Sequence, residues 1–165
     1  MNTFYNNCSH SSAKMMSSEE SLTASETFAQ ISAGKSALWG IRYNNEILVR
    51  TGISCSNPNG SDWIQIEPPT GKIGTYITSS DYDDATWLIT SDQKVYRRTN
   101  ITDDNVKGTD WEMVDGTLVK ISASLSGVWG LNAMDEIFYR DATYRNTNYN
   151  GEEWLKIDGA LMVIQ

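Results

Sequence analysis

The sequence predicts an all-β fold of four-stranded propeller blades, and three observations predict it. One unit recurs three times, as Trp39–Arg50–Trp63, Trp87–Arg98–Trp111 and Trp129–Arg140–Trp154, which accounts for all six tryptophans. The two tryptophans of a unit stand 24, 24 and 25 residues apart, and self-similarity at a fixed period marks a repeat architecture. From Phe28 onward, short apolar runs alternate with polar turns, as in all-β chains. Successive units are spaced by 48 and 42 residues, the size of one four-stranded blade.

Residues 1–27 are rich in Ser, Asn and Glu with few apolar positions; they read as a disordered or loosely packed tail. The repeats follow at 28–71, 72–117 and 118–160. The first strand of each ends in Ile31-Ser32, Ile77-Thr78 or Ile121-Ser122, and the second carries the first Trp. Polar turns at Asn44-Asn45, Ser91-Asp92 and Met134-Asp135 suit two-residue hairpins. The third strand ends on the repeated Arg. A polar loop of about a dozen residues then leads to Gly-x-acid-Trp (Gly60 to Trp63, Gly108 to Trp111, Gly151 to Trp154) and the fourth strand.

Each residue type has a physical reason. Large aromatics recur where sheets stack on both faces. Gly40 and Gly130, directly after the first Trp, mark close approach of a neighbour within a strand; Leu88 breaks this pattern, so the second blade is expected to pack less closely there. Repeat two also carries an insertion at Asp81–Ala85, and further residues surround Pro68-Pro69, both in strand connections where repeat arrays tolerate them.

Residues 161–165 read as the first strand of a fourth unit, because Ile164 follows Trp154 by the ten residues that separate Ile121 from Trp111. Three units and a spare strand fall short of the roughly four to eight blades of a propeller ring. Either the chain is an excerpt of a longer protein, or it is a homo-oligomer in which two sets of three complete a six-bladed ring. A lone partial ring would expose strand edges and apolar faces.

Composition narrows the function. A net charge of -8 argues against nucleic acid, which requires clustered Lys and Arg. The one basic doublet, Arg97-Arg98, reads as an outward charge beside a repeated one. No apolar run approaches membrane-spanning length, and residues 1–27 lack the pattern of a secretory leader. Cys8 and Cys55 do not make a disulfide framework or a zinc site and, as thiols, suit a reducing compartment. The expected location is therefore cytoplasmic or exported without a leader, and secreted if the chain is cut from a longer precursor. His10 is the single histidine, so no His-based triad or multi-His metal site is available. The carboxylate pairs Asp83-Asp84 and Asp103-Asp104 read as solvated loop acids. No catalytic residue, cofactor or metal is expected.

Residues 121–159, Ile-Ser-Ala through Val-Trp-Gly-Leu-Asn and Asp-Glu-Ile-Phe-Tyr-Arg to Trp-Leu-Lys-Ile-Asp-Gly, closely resemble the tectonin repeat. The first repeat matches through Ile31-Ser32-Ala33, Leu38-Trp39-Gly40-Ile41, Glu46-Ile47 and Arg50, and the second through Trp87, Val95-Tyr96-Arg97 and Trp111 to Gly116, departing at Leu88. Tectonins and the similar fish-egg and horseshoe-crab lectins are β-propellers, and many bind sugars on bacterial or other cell surfaces. The resemblance thus implies a lectin-like, innate-defence role with glycans as partners.

The residues themselves leave the site open. Trp39, Trp87 and Trp129 are expected in the core. Trp63, Trp111 and Trp154 sit nearer the surface and either lock blades or stack on sugar faces. Arg50, Arg98 and Arg140 read as solvated charges or as bridges to the repeated acid within a blade. Asn57 and Asn59, Asn100 with Asp104 and Asn105, and Asn148, Tyr149 and Asn150 occupy equivalent loops and could hydrogen-bond hydroxyls, although Asn and Asp also favour turns for backbone reasons. Two readings follow: a carbohydrate-binding module with repeated loop sites, or a propeller scaffold that holds proteins.

Overall fold

The computed structural model of the chain describes residues 27–160. Of the tail expected at 1–27, residues 1–26 fall outside that range, as does the fourth first strand expected at 161–165. Twelve strands form three antiparallel sheets of four, and no helix occurs among the described residues. The first sheet is β1 (Phe28–Ala33), β2 (Leu38–Arg42), β3 (Ile47–Arg50) and β4 (Trp63–Ile66). The second is β5 (Gly74–Ser79), β6 (Thr86–Thr90), β7 (Lys94–Arg98) and β8 (Trp111–Thr117). The third is β9 (Lys120–Ser124), β10 (Gly127–Leu131), β11 (Glu136–Arg140) and β12 (Trp154–Ala160). Each is an up-and-down meander, the simplest way for consecutive strands to satisfy one another's backbone groups.

The sheets stack in chain order, β5 against β1 and β2, and β9 against β5 and β6, without closing a ring. Alternation along the strands decides what each interface buries. Trp39, Ile41, Ile47, Val49 and Ile66 of the first sheet meet Ile77, Leu88, Tyr96 and Trp111 of the second. Trp87, Ile89, Val95 and Val114 of the second meet Leu118, Ile121, Ala123 and Val128 of the third. Trp39 and Trp87 are fully buried, but Trp129, expected with them, is 37% exposed. Its strand position is the same; among the described residues no further sheet lies over it, and its ring packs on Tyr139, 4.9 Å between centroids.

The expected looseness at Leu88 is also corrected. A Cβ on Gly40 would lie 2.6 Å from the Phe28 ring, and one on Gly130 would lie 2.5 Å from Leu118 Cδ1. Phe28, Gly74 and Leu118 each stand three residues before the repeated Ile, so the second sheet has exchanged large for small at both positions of the pair. Leu88 fills the space that Gly74 leaves, and it is completely buried. Packing density is kept by a reciprocal swap.

The second-to-third-strand hairpins have three-residue loops rather than two. Asn45, Gln93 and Asp135 take left-handed φ values of 67°, 63° and 59°, and their amides donate to Arg42, Thr90 and Asn132 carbonyls. This is a turn followed by one left-handed residue, a common alternative to the tight hairpin. Cys55 is disulfide-bonded, which replaces its reading as a thiol.

Candidate functional site

Each long loop between third and fourth strands is closed by one construction, repeated three times. The Arg that ends the third strand lies directly across from the Trp that begins the fourth: Arg50 opposite Trp63, Arg98 opposite Trp111, Arg140 opposite Trp154. The guanidinium sits over the indole at 5.6, 5.0 and 5.4 Å, a cation–π arrangement. Its Nε donates to the carbonyl of Asn59, Lys107 or Asn150, the residue before the loop glycine. A Cβ on Gly60, Gly108 or Gly151 would come within 2.6, 2.5 and 2.5 Å of the backbone oxygens of Thr51, Thr99 and Asp141, and all three glycines have positive φ. Only glycine fits there.

The Arg series is therefore braced against its loop rather than free, with Arg50 half-buried, and among the described residues no ion pair joins it to the acid of its own loop. Arg98 and Arg140 are buried, and burial lowers the Arg98 pKa from its ordinary value, an effect that Asp110 opposes. Arg140 pairs at 2.7 Å with Asp115 of the preceding sheet. The second tryptophans also reach backward: Trp111 Nε1 donates to the Glu67 carbonyl at 2.9 Å, and Trp154 Nε1 to that of Asp115 at 2.7 Å. Trp63 has no preceding sheet among the described residues and is partly exposed, its ring 4.7 Å from Phe28.

Above this common base the loops diverge. Asn57 Nδ2 donates to the Gly52 carbonyl, and Asn105 Nδ2 to that of Asn100, so these two amides staple their own loops. Asn59 and Asp104 are exposed, and Asn100 donates from Nδ2 to Thr109 Oγ1 at 2.7 Å. The third loop reaches over to the second sheet instead. Arg97 donates from Nε to Asn150 Oδ1 and from Nη1 to Asn148 Oδ1 at 2.9 Å, and it pairs with Glu112 at 3.1 Å. Asp83 accepts from Thr147 Oγ1 and from the Asn148 amide. Tyr149 projects from the same loop and is exposed.

Arg97 and the acid pair Asp83-Asp84 are thus corrected from solvated charges to connectors between sheets. Asp84, buried, accepts from the Ser36 amide of the first sheet at 2.7 Å, while Asp83 holds the third. Their position inside the insertion of repeat two was the available signal. Asp103 keeps a solvated role and pairs with Lys35 at 3.1 Å.

Of the candidate residues, Asn100, Trp111 and Asn148 come together. They line an open cleft of about 990 Å³ along with Arg97, Asp110 and Glu112, and with the hydroxyls of Thr99, Thr102 and Thr109. The cleft offers amide and hydroxyl donors beside two carboxylate acceptors, and it contains no histidine or cysteine. Such a surface complements a ligand rich in hydroxyl groups. Asn57, Asn59 and Trp63 lie apart on the first sheet.

A stack of antiparallel four-stranded blades with a polar cleft on its loops defines a propeller-type fold. The chain belongs to the tectonin domain family, whose model matches residues 2–117 and 83–165. A 57-residue stretch is 35% identical to the Perivitellin-2 31 kDa subunit of Pomacea maculata, covering 34% of this chain and 20% of that protein. The fold is also similar to Prp20p from Saccharomyces cerevisiae, with a TM-score of 0.51 at 11% identity over 81% of this chain and 39% of that one. Human WBSCR16 is similar at a TM-score of 0.50 and 14% identity, over 67% and 32% of the two chains. The chain thus spans well under half of the relatives it matches, and the structural likenesses concern the fold alone.

Proposed function

We propose that the chain binds glycans in a lectin-like manner, chiefly in the cleft between the second-sheet and third-sheet loops. The observation that carries this reading is the convergence of Asn100, Asp110, Glu112 and Asn148 around Arg97 in one open cleft. Membership in the tectonin domain family supports it. Arg97 holds Asn148 in place before any ligand arrives, which reduces the ordering cost of binding. Among the described residues no hydrogen bond joins the Asn57 and Asn59 side chains to another sheet, so one principal site is favoured over three equal ones.

A glycan array probed with the purified chain tests the reading. Discrete sugar hits are expected, and Asn100→Gly, which keeps the left-handed backbone, and Glu112→Gln should each weaken them roughly tenfold, a loss of about 1.4 kcal/mol, with both variants folded by circular dichroism. Tyr149→Ala probes the neighbouring aromatic without touching the Arg97 contacts. An array without hits would sink the proposal. Protein partners captured by the same chain would then favour the scaffold reading.

A further inference from the structure

Among the described residues, the contacts that join one sheet to the next are left open, half by half, on the two outer faces. Ile77 and Ile121 are buried against the preceding sheet at 0% and 3% exposure, whereas Ile31, at the same position of β1, is 59% exposed. On the receiving side, Trp39 and Trp87 are covered by the next sheet, while Trp129 lines an open apolar cleft of about 280 Å³ with Ile121, Leu131 and Ile137. The first sheet thus presents an unburied knob, and the third an unfilled hole of matching kind.

The polar contacts continue the same register. Trp111 and Trp154 donate to the carbonyls of Glu67 and Asp115, each four residues beyond the fourth-strand Trp of the preceding sheet. Among the described residues Trp63 Nε1 has no such acceptor, and Asp158, four residues after Trp154, is the acceptor position that no tryptophan meets. The Ser79 amide donates to Ser32 Oγ, and the Ala123 amide to Thr78 Oγ1; the pair next in the series is the Ala33 amide with Ser122 Oγ. Arg50 stands where Arg140 pairs with Asp115, with Asp158 as its counterpart.

We propose that these faces bind each other between two copies of this chain: the third-sheet face of one copy receives the first-sheet face of the other, head to tail. A heterologous contact of this kind repeats until its rotation closes. Two copies bring six sheets, within the range of roughly four to eight over which propellers close. Closure would also cover an apolar patch that a lone chain leaves in water.

Light scattering and sedimentation of the purified chain should give twice the chain mass at micromolar concentration. Ile31→Glu and Trp129→Glu, both at exposed positions, should each give folded monomers by circular dichroism. Mixing the two variants should restore a 1:1 dimer, because one of the two junctions then has wild-type residues on both sides. That rescue distinguishes a head-to-tail contact from general stickiness. A wild-type chain that stays monomeric, or an assembly unaffected by both substitutions, would overturn the proposal. So would a monomer that begins to associate when residues 161–165 are deleted, since the chain's own segment would then be the cover of Trp129.

Discussion

The two interfaces within the chain share a plan and differ in what fastens them. Between the first and second sheets Trp39 and Trp111 pack edge to face at 6.3 Å, beside the hydrogen bonds of Gln30 with Ile77 and of Ser36 with Asp84 and the exposed Lys35–Asp103 pair. The Trp39 Nε1 has no hydrogen-bond partner among the described residues. Between the second and third sheets the corresponding Trp87 Nε1 donates to the Thr147 carbonyl at 3.0 Å. Asp83 and Arg97 tie the same loop, and Arg140 pairs with Asp115. The loop that closes this second interface also lines the candidate cleft. Both interfaces combine stacking with polar contacts; the second adds the grip of Arg97 and Asp83 on a long loop, where the first has the exposed Lys35–Asp103 pair.

Four measurements would break or sharpen this contrast. The largest effect is expected at the first interface, where Leu88→Gly should cost about 3–5 kcal/mol by denaturant unfolding. Adding Gly74→Leu should recover more than about 1 kcal/mol, since the pair is coupled; simple additivity would refute the reciprocal swap. Next, Asp83→Ala should cost about 2–3 kcal/mol, because it strands the buried Thr147 hydroxyl and the Asn148 amide, and should loosen the third loop in hydrogen exchange while sparing the first. Trp87→Phe should then be worse than Trp39→Phe by about 1 kcal/mol, because only the former gives up a made hydrogen bond; equal costs would erase the distinction.

The smallest effect lies away from both interfaces. Asp92 accepts from Lys72 and from the Thr90 hydroxyl, which lowers its pKa to about 2. A depressed folded-state value means that its contribution is complete above the ordinary carboxylate range and fades as pH falls toward 2. Carboxyl NMR should place its midpoint there, and Lys72→Met should move the midpoint upward. Glu136, lowered by its hydrogen bonds to Lys156 and Asn132, should follow the same direction.

Much of the architecture was legible because it is periodic. The Trp–Arg–Trp spacing, the Gly-x-acid-Trp signature and the Ile-Ser pairs located all three sheets, since each residue type serves one geometric need three times. What stayed hidden was the contact between repeats. Nothing local to Arg97 or Asp83 says that their partners lie about fifty to sixty-five residues onward. Trp129 was misplaced for the same reason, because strand position determines which way an indole faces and only a neighbour determines whether it is covered. The swap of Gly74 for Leu88 could have been found by aligning the repeats at their isoleucines.

The Arg–Gly–Trp brace has a consequence for how such a protein can acquire new preferences. It fastens the root of each loop with groups drawn from the strand ends and one carbonyl, and it makes no demand on the residues at the tip. Tips can therefore be exchanged like bits in a chuck, which is how one frame here carries two inward-stapled loops and a third that grips its neighbour.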